Sequence, residues 1–219
     1  MPPPQPASGL LSFGRLREFA RPRPPVERCD LCAREVGPRH DHLMEPAARR
    51  LLCACGACAV LFSNQSAPRY RRVPRRVRML EDFRLTDAQW DGLRLPIQLA
   101  FFFHSTPQQR MVACYPSPAG ATESLLHLDT WDEIVAANPI LATMEPDVEM
   151  LLANRVGAAR GSGPAEYYLA PADWCFRLVG LIRLGWKGLS GGTAVWKDIG
   201  AFFDELKRQA GAAPGARDA

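Results

Sequence analysis

Five of the seven cysteines fall within 30 residues: Cys29, Cys32, Cys53, Cys55 and Cys58. Four of them form two pairs of equal spacing, Cys29-x2-Cys32 and Cys55-x2-Cys58, with 22 residues between the pairs. A tetrahedral metal ion takes four soft donors at about 2.3 Å, and a C-x2-C turn aims two sulfurs at one centre. One metal site made by Cys29, Cys32, Cys55 and Cys58 is therefore expected, with reduced thiols as the alternative. Zinc is the expected ion. A rubredoxin-like iron site, in which the chain would be a redox carrier, is the alternative, because four thiolates bind either metal. Rubredoxin-like knuckles usually carry glycine after the second cysteine, and here Ala33 and Ala59 stand there. Four protein ligands leave no open position, so the site reads as non-catalytic.

Three further donors lie close in sequence. Cys53 precedes Cys55 by two residues, which in a strand puts both side chains on one side. It is expected to be a packed thiol, and His40 and His42 to shape and hydrogen-bond a hairpin. Whether any of the three replaces a cysteine ligand stays open.

The elements that must hold the four sulfurs follow from local pattern. Residues 34–36, a Gly37-Pro38 turn and residues 40–43 predict a short hairpin. A strand at 51–53 leads to a helix at 56–62, with Cys55 and Cys58 in its first turn, where the helix N-terminus lowers thiol pKa values. Knuckle, hairpin and helix-borne ligands are the plan of a treble-clef zinc module.

His40-Asp41-His42-Leu43 between two C-x2-C pairs resembles an HNH-type nuclease, in which an Asp-His pair binds a catalytic metal and activates water. That family places Asn before the second pair and Asn or His after it. Here Ala47-Ala48-Arg49-Arg50 and Ala59 occupy those places. The ligands of the second ion are missing, so at most a degenerate HNH-like module is expected.

The chain of 219 residues is 47% hydrophobic and 23% charged, a globular composition. No apolar run approaches the roughly 20 residues that span a bilayer. The N-terminus lacks the basic start and apolar core of a secretory signal, so a soluble cytoplasmic protein is expected. The net charge of +4 divides into +8 over residues 1–84 and −4 over the remainder. Residues 69–78 hold six arginines. They are expected to be an extended, solvated segment or edge strand, broken at Pro74, that steers an acidic protein surface. Phosphate tracking is the alternative, but Tyr70 is the segment's one aromatic and no stacking series accompanies it.

Four regions are expected: a Pro-rich flexible terminus at 1–25, the four-cysteine module at 26–66, an α+β domain at 67–209 and a disordered tail at 210–219. Within the first, residues 9–20 suit a short docking helix. Thr86 and Gln89 predict a capping box opening a helix to Leu93. Residues 97–103 read as a central strand with a hairpin partner at 111–115 and a turn at 116–120. Asp129 or Thr130 is expected to cap a helix ending before Pro139. Strands are expected at 148–156, with a helix opening at Pro146 as the alternative, and at 167–169. Two helices close the chain, from Pro171 and from Thr193. The fold class is thus α+β, with a central antiparallel sheet. The loop Gly188-Leu-Ser-Gly-Gly-Thr193 suits a turn between packed helices, with anion binding as the alternative. Cys114 and Cys175 read as core residues, and His104 and His127 have no visible partner. No triad assembles, and a non-enzymatic role is expected.

Several segments recur together in one known family: Cys29-Asp-Leu-Cys32, His40-x-His42-Leu43, Leu52-Cys-Ala-Cys-x2-Cys58, Leu99-Ala-Phe-Phe-Phe103, Tyr115-Pro-Ser-Pro-Ala-Gly-Ala-Thr-Glu-Ser124 and Gly188-Leu-Ser-Gly-Gly192. Over about residues 15–207 the chain resembles uncharacterised proteins, mostly actinobacterial, encoded beside nickel–iron hydrogenase genes. The resemblance carries no catalytic residues. It implies a zinc-binding accessory protein in hydrogenase assembly, maturation or electron transfer, with a hydrogenase subunit or maturation factor as partner.

Overall fold

Hydrophobic side chains alternate across residues 99–103 with no polar position between them. Leu99, Phe101 and Phe103 are buried in one cluster, and Ala100 and Phe102 in another. A strand buried on both faces belongs inside a sheet covered on both sides. The computed structural model, which describes residues 26–65, 68–124, 128–188 and 191–211, places it so. Strand β5 (Leu99–Ser105) lies within an antiparallel six-stranded sheet. The sheet also contains β4 (Arg78–Met79), β6 (Arg110–Ser117), β7 (Gly120–Ser124), β8 (Glu149–Asn154) and β9 (Glu166–Pro171), in the order β4-β9-β8-β5-β6-β7.

One face of this sheet is covered by two long helices, α5 (Ala172–Gly185) and α6 (Gly192–Gly211). Leu178 and Ile182 of α5 pack with Ile199 and Phe202 of α6 in the cluster that holds Phe101 and Leu152. The other face is covered by α2 (Asp87–Gly92), α3 (Leu128–Ala137) and a 3-10 turn at Pro139–Thr143. There Trp131 stacks on Phe102 at 5.1 Å between ring centroids. Helix α4 (Val156–Ala159) is a single turn after β8. The fold is the expected mixed α+β class with a central antiparallel sheet.

A smaller antiparallel sheet carries the cysteines. Its order is β2-β1-β3, with β1 at Asp41–Glu45, β2 at Arg50–Ala54 and β3 at Arg71–Arg72. Leu43, Leu52 and Ala54 pack on Ala59 of α1 (Gly56–Ser63), forming a small core with Tyr70. On the opposite face Met44 joins the large core of the main sheet, together with Val73 and Val77. The two sheets share that core.

Several expectations hold in detail. Thr86 and Gln89 form the capping box of α2. Residues 149–154 are a strand, not a helix opening at Pro146. Pro171 precedes the first residue of α5. Pro74 splits the arginine run into β3 and β4, which are edge strands of different sheets. Cys114 and Cys175 are buried in the main core.

Three expectations need correction. Residues 34–36 do not pair with 40–43. They fold back on the first cysteine loop, where the Val36 N–H donates to the Glu27 carbonyl at 3.0 Å and Arg28 bridges Glu35. The hairpin is instead β1–β2, across a turn where Arg49 adopts φ 49° and donates to the Pro46 carbonyl at 3.2 Å. The turn expected at 116–120 is shorter, because β6 continues through Pro116 and Ser117 and pairs with β7. Pro116 lies beyond the end of the β5 pairing, so its missing N–H breaks no ladder bond there. Helix α3 begins at Leu128, so Thr130 lies inside it and does not cap it. The expected helix at 9–20, the rest of the Pro-rich start, His127 and residues 212–219 lie outside the described residues. Among the described residues no helix is long and apolar enough to cross a membrane.

Candidate metal centre

The first cysteine pair sits on a tight loop. The Cys29 N–H donates to the Arg34 carbonyl and the Ala33 N–H to the Cys29 carbonyl, both at 2.8 Å. Closing this loop puts Ala33 at φ 60°, the left-handed region. Glycine reaches it freely, and alanine at a cost of about 1–2 kcal/mol. The knuckle geometry is thus adopted despite the absence of glycine. Asp30 fastens the loop to β2: its N–H donates to the Cys53 carbonyl at 2.9 Å, and its Oδ2 accepts from the Cys53 N–H at 2.6 Å.

The second pair is built differently. Cys55 is the N-cap of α1, in extended backbone at φ −74° and ψ 157°, and Cys58 lies in the first turn. The unpaired N–H groups of a helix start point toward whatever caps them. Here the Cys58 N–H is the main influence that lowers the pKa of the Cys55 thiol. A rubredoxin-like iron site would use a second knuckle, but this pair is borne on a helix, as in the treble-clef plan. Ala59 is accordingly an ordinary helical residue in the small core.

The two pairs converge. All four Sγ atoms lie within 4.8 Å of one another. A tetrahedron with bonds of about 2.3 Å has edges of about 3.8 Å, and Cys32 Sγ lies 3.7 Å from Cys55 Sγ. Cys29 and Cys58 are buried, Cys55 is half-buried and Cys32 is exposed. Burial acts to raise the Cys29 pKa, but N–H groups of Cys55, Leu31 and Cys32 outweigh it and bring the thiol down to about 6. Burial and the neighbouring sulfurs push Cys58 up to about 12. Four thiols this close cannot all ionise together without a cation among them. The cluster has the donor set and dimensions to bind a metal ion.

His40, His42 and Cys53 do not enter that cluster. They form a second one, in which one donor atom from each lies within 4.8 Å of the others. His42 and Cys53 face each other in the β1–β2 register, and His40 precedes His42 by two residues. His40 Nδ1 lies 2.8 Å from the Gly37 carbonyl, and His42 Nδ1 lies 3.0 Å from Asp173 Oδ2 on α5. The His-x-His pattern was visible in the sequence. The strand register that adds Cys53 was not.

The nuclease-like Asp-His pair does not converge. Asp41 and His42 are successive in β1 and point to opposite faces of the sheet. Asp41 Oδ1 accepts from Arg72 and from Arg75, each at 2.9 Å. Those bonds outweigh burial and hold its pKa below the ordinary 3.8.

The arginine run is exposed and lies on edge strands, as expected, but most of its guanidinium groups are engaged by acids of the same fold. Arg69 pairs with Glu45, Arg71 with Asp147, Arg72 and Arg75 with Asp41, and Arg78 with Glu149. These four carboxylates are buried. Of the six arginines, only Arg76 has no ion pair among the described residues. The run neutralises acids within its own fold, five of its arginines sharing four carboxylates, one of which also takes Arg50. The Gly188 loop is close-packed at the end that leads into α6. Gly191 has φ 83°, and a Cβ there would lie 2.8 Å from Val195 Cγ1.

Neither curated proteins nor solved structures give a match to this chain. A family model does match, over residues 28–210, a span that holds the cysteine cluster, both sheets and nearly all of α6. The chain belongs to that family, the family of unknown function DUF5947.

Proposed function

We propose that Cys29, Cys32, Cys55 and Cys58 hold one structural zinc ion. On this reading the chain is a non-catalytic, cytoplasmic accessory protein of a nickel–iron hydrogenase, acting in its assembly, maturation or electron transfer. The convergence of four cysteine sulfurs from one knuckle and one helix start carries the zinc assignment. Four protein thiolates leave no position for substrate, so the ion serves shape and recognition. Seven free cysteines suit a reducing compartment. The hydrogenase association rests on the combined motifs noted in the sequence. The partner is a hydrogenase subunit or maturation factor. Nucleic acid is the less favoured partner, because five of the six arginines of the basic run already face carboxylates of this chain.

Two measurements test the reading separately. Elemental analysis of protein purified without added metal should give at least one zinc per chain, and a ratio near zero would overturn the metal assignment. Iron and a red colour would instead make electron transfer the role. A tagged chain should co-purify with a hydrogenase component from its native host under hydrogenase-inducing conditions, and gene deletion should lower hydrogenase activity. No co-purification together with full activity in the deletion strain would overturn the accessory role.

A further inference from the structure

We propose that His40, His42 and Cys53 form a second metal site, distinct from the four-cysteine cluster. It would have three protein ligands and a fourth position open to water or a small ligand.

The first support is convergence. One donor atom from each of the three residues lies within 4.8 Å of the other two. The arrangement is set by the sheet, because His42 and Cys53 are cross-strand partners and His40 is in step with His42. Ligands mounted on paired strands keep their spacing better than ligands on loops.

The second support is the way both rings are held. The carbonyl of Gly37 faces His40 Nδ1, and the carboxylate of Asp173 faces His42 Nδ1. An acceptor at Nδ1 fixes the proton there and leaves the Nε2 lone pair free, the state in which imidazole binds a metal. Asp173 is itself held, since its Oδ1 accepts from the Trp174 N–H at 2.9 Å. Histidine backed by carbonyl or carboxylate is the usual outer shell of a metal site.

The third support is an atom with nothing to do. The His40 side chain is 7% exposed, and its Nε2 is buried with no hydrogen-bond partner among the described residues. Most buried side-chain nitrogens in folded proteins are paired, so an unpartnered one beside other donors is an opening for a ligand. Here one nitrogen is tied down and the other is left without a partner among the described residues, in a ring whose centroid lies 4.7 Å from that of His42.

Two imidazoles and one thiolate select zinc, cobalt or copper over magnesium or calcium. Three protein ligands with an open fourth position are the pattern of zinc sites that exchange ligands. His42 and Cys53 are half-buried, so the open position can be reached. The chain would then carry one closed metal site for shape and one open site, both anchored on β2 or at its end.

The test uses the full chain with the zinc it holds when purified, kept reduced, and Co2+ as the probe. Added Co2+ should bind at one equivalent and give a thiolate-to-cobalt charge-transfer band with tetrahedral ligand-field bands. Cys53→Ser should abolish the charge-transfer band while keeping the original zinc, and that retained zinc also reports a folded module. His40→Gln and His42→Gln should each weaken Co2+ binding at least tenfold. Asp173→Asn should weaken it about 10- to 100-fold without changing the band shape, as a residue that only positions His42 would. The proposal is overturned if wild type binds no added Co2+, or if the band survives in Cys53→Ser. If the four-cysteine reading alone is wrong, the purified protein holds no zinc, yet the cobalt band still depends on Cys53.

Discussion

His42 Nδ1 lies 3.0 Å from Asp173 Oδ2, a contact between residues 131 apart in sequence. It ties the strand beside the cysteine cluster to the first turn of α5. Met44, two residues along the same strand, is buried in the core that holds Leu178 of that helix. The small sheet and the large one are therefore mechanically joined, and a change at the metal cluster should be felt in the main core.

Metal removal tests this directly. Stripping the four-cysteine site with a strong chelator, or replacing Cys58 by Ser, should lower the thermal unfolding midpoint of the whole chain. The loss should amount to several kcal/mol. That is less than the roughly 10–16 kcal/mol of isolated zinc-finger peptides, because Met44, Val73 and Val77 remain packed without the ion. Scanning calorimetry with and without chelator measures it. An unchanged midpoint after verified metal loss would contradict the structural role.

Asp41 should make stability depend on acid. Arg72 and Arg75 hold its folded-state pKa below the ordinary 3.8. A depressed carboxylate contributes stability above its unfolded pKa, and the contribution disappears as pH falls through the folded value. The two arginine side chains are 50% and 66% exposed, which weakens the pairing by solvent screening. Asp41→Asn should therefore cost about 1–2 kcal/mol at pH 7. Urea titrations should show the gap between wild type and variant narrowing below pH 3.8 and constant above pH 5. A gap that widens in acid would show that the ion pairs are not its source.

The same pairs predict no nuclease and little nucleic-acid binding. Asp41 and His42 face opposite ways, so they cannot hold one ion between them. Incubation with plasmid and magnesium or manganese should leave the DNA intact. Any retention on nucleic acid should vanish with modest salt and show a shallow slope of log affinity against log salt, because few arginines remain unpaired. Cleavage that is lost in His42→Ala would reverse this conclusion.

What the sequence made legible was local or periodic. The C-x2-C spacing, the Thr86–Gln89 box, the position of Pro171 and the apolar run at 99–103 each act within a few residues. The arginine run shows where such reading stops. Its partners Asp41 and Glu45 on β1, Glu149 on β8 and Asp147 in the turn before β8 are set by the fold, and nothing at 69–78 marks which acids they will meet. The grouping of Cys53 with His40 and His42 depends likewise on a strand register that only folding fixes. The misplaced hairpin has the same origin: Gly37-Pro38 does suit a turn, but residues 34–36 satisfy their backbone groups on the cysteine loop instead.

The turn between α5 and α6 gives a paired prediction. Gly188 and Gly191 both have positive φ, 62° and 83°. They differ in surroundings. Among the described residues a Cβ at Gly188 would meet nothing within 4 Å, whereas at Gly191 it would lie 2.8 Å from Val195 Cγ1 and 2.9 Å from Trp186 Cε3. Val195 is fully buried against the main core and cannot withdraw. Gly188→Ala should therefore cost only the left-handed penalty, about 1–2 kcal/mol. Gly191→Ala should add overpacking of about 1–3 kcal/mol. Chemical denaturation of the two variants measures the difference. Equal losses would mean that backbone conformation alone selects glycine here, and that Gly191 is not kept small by the approach of α6.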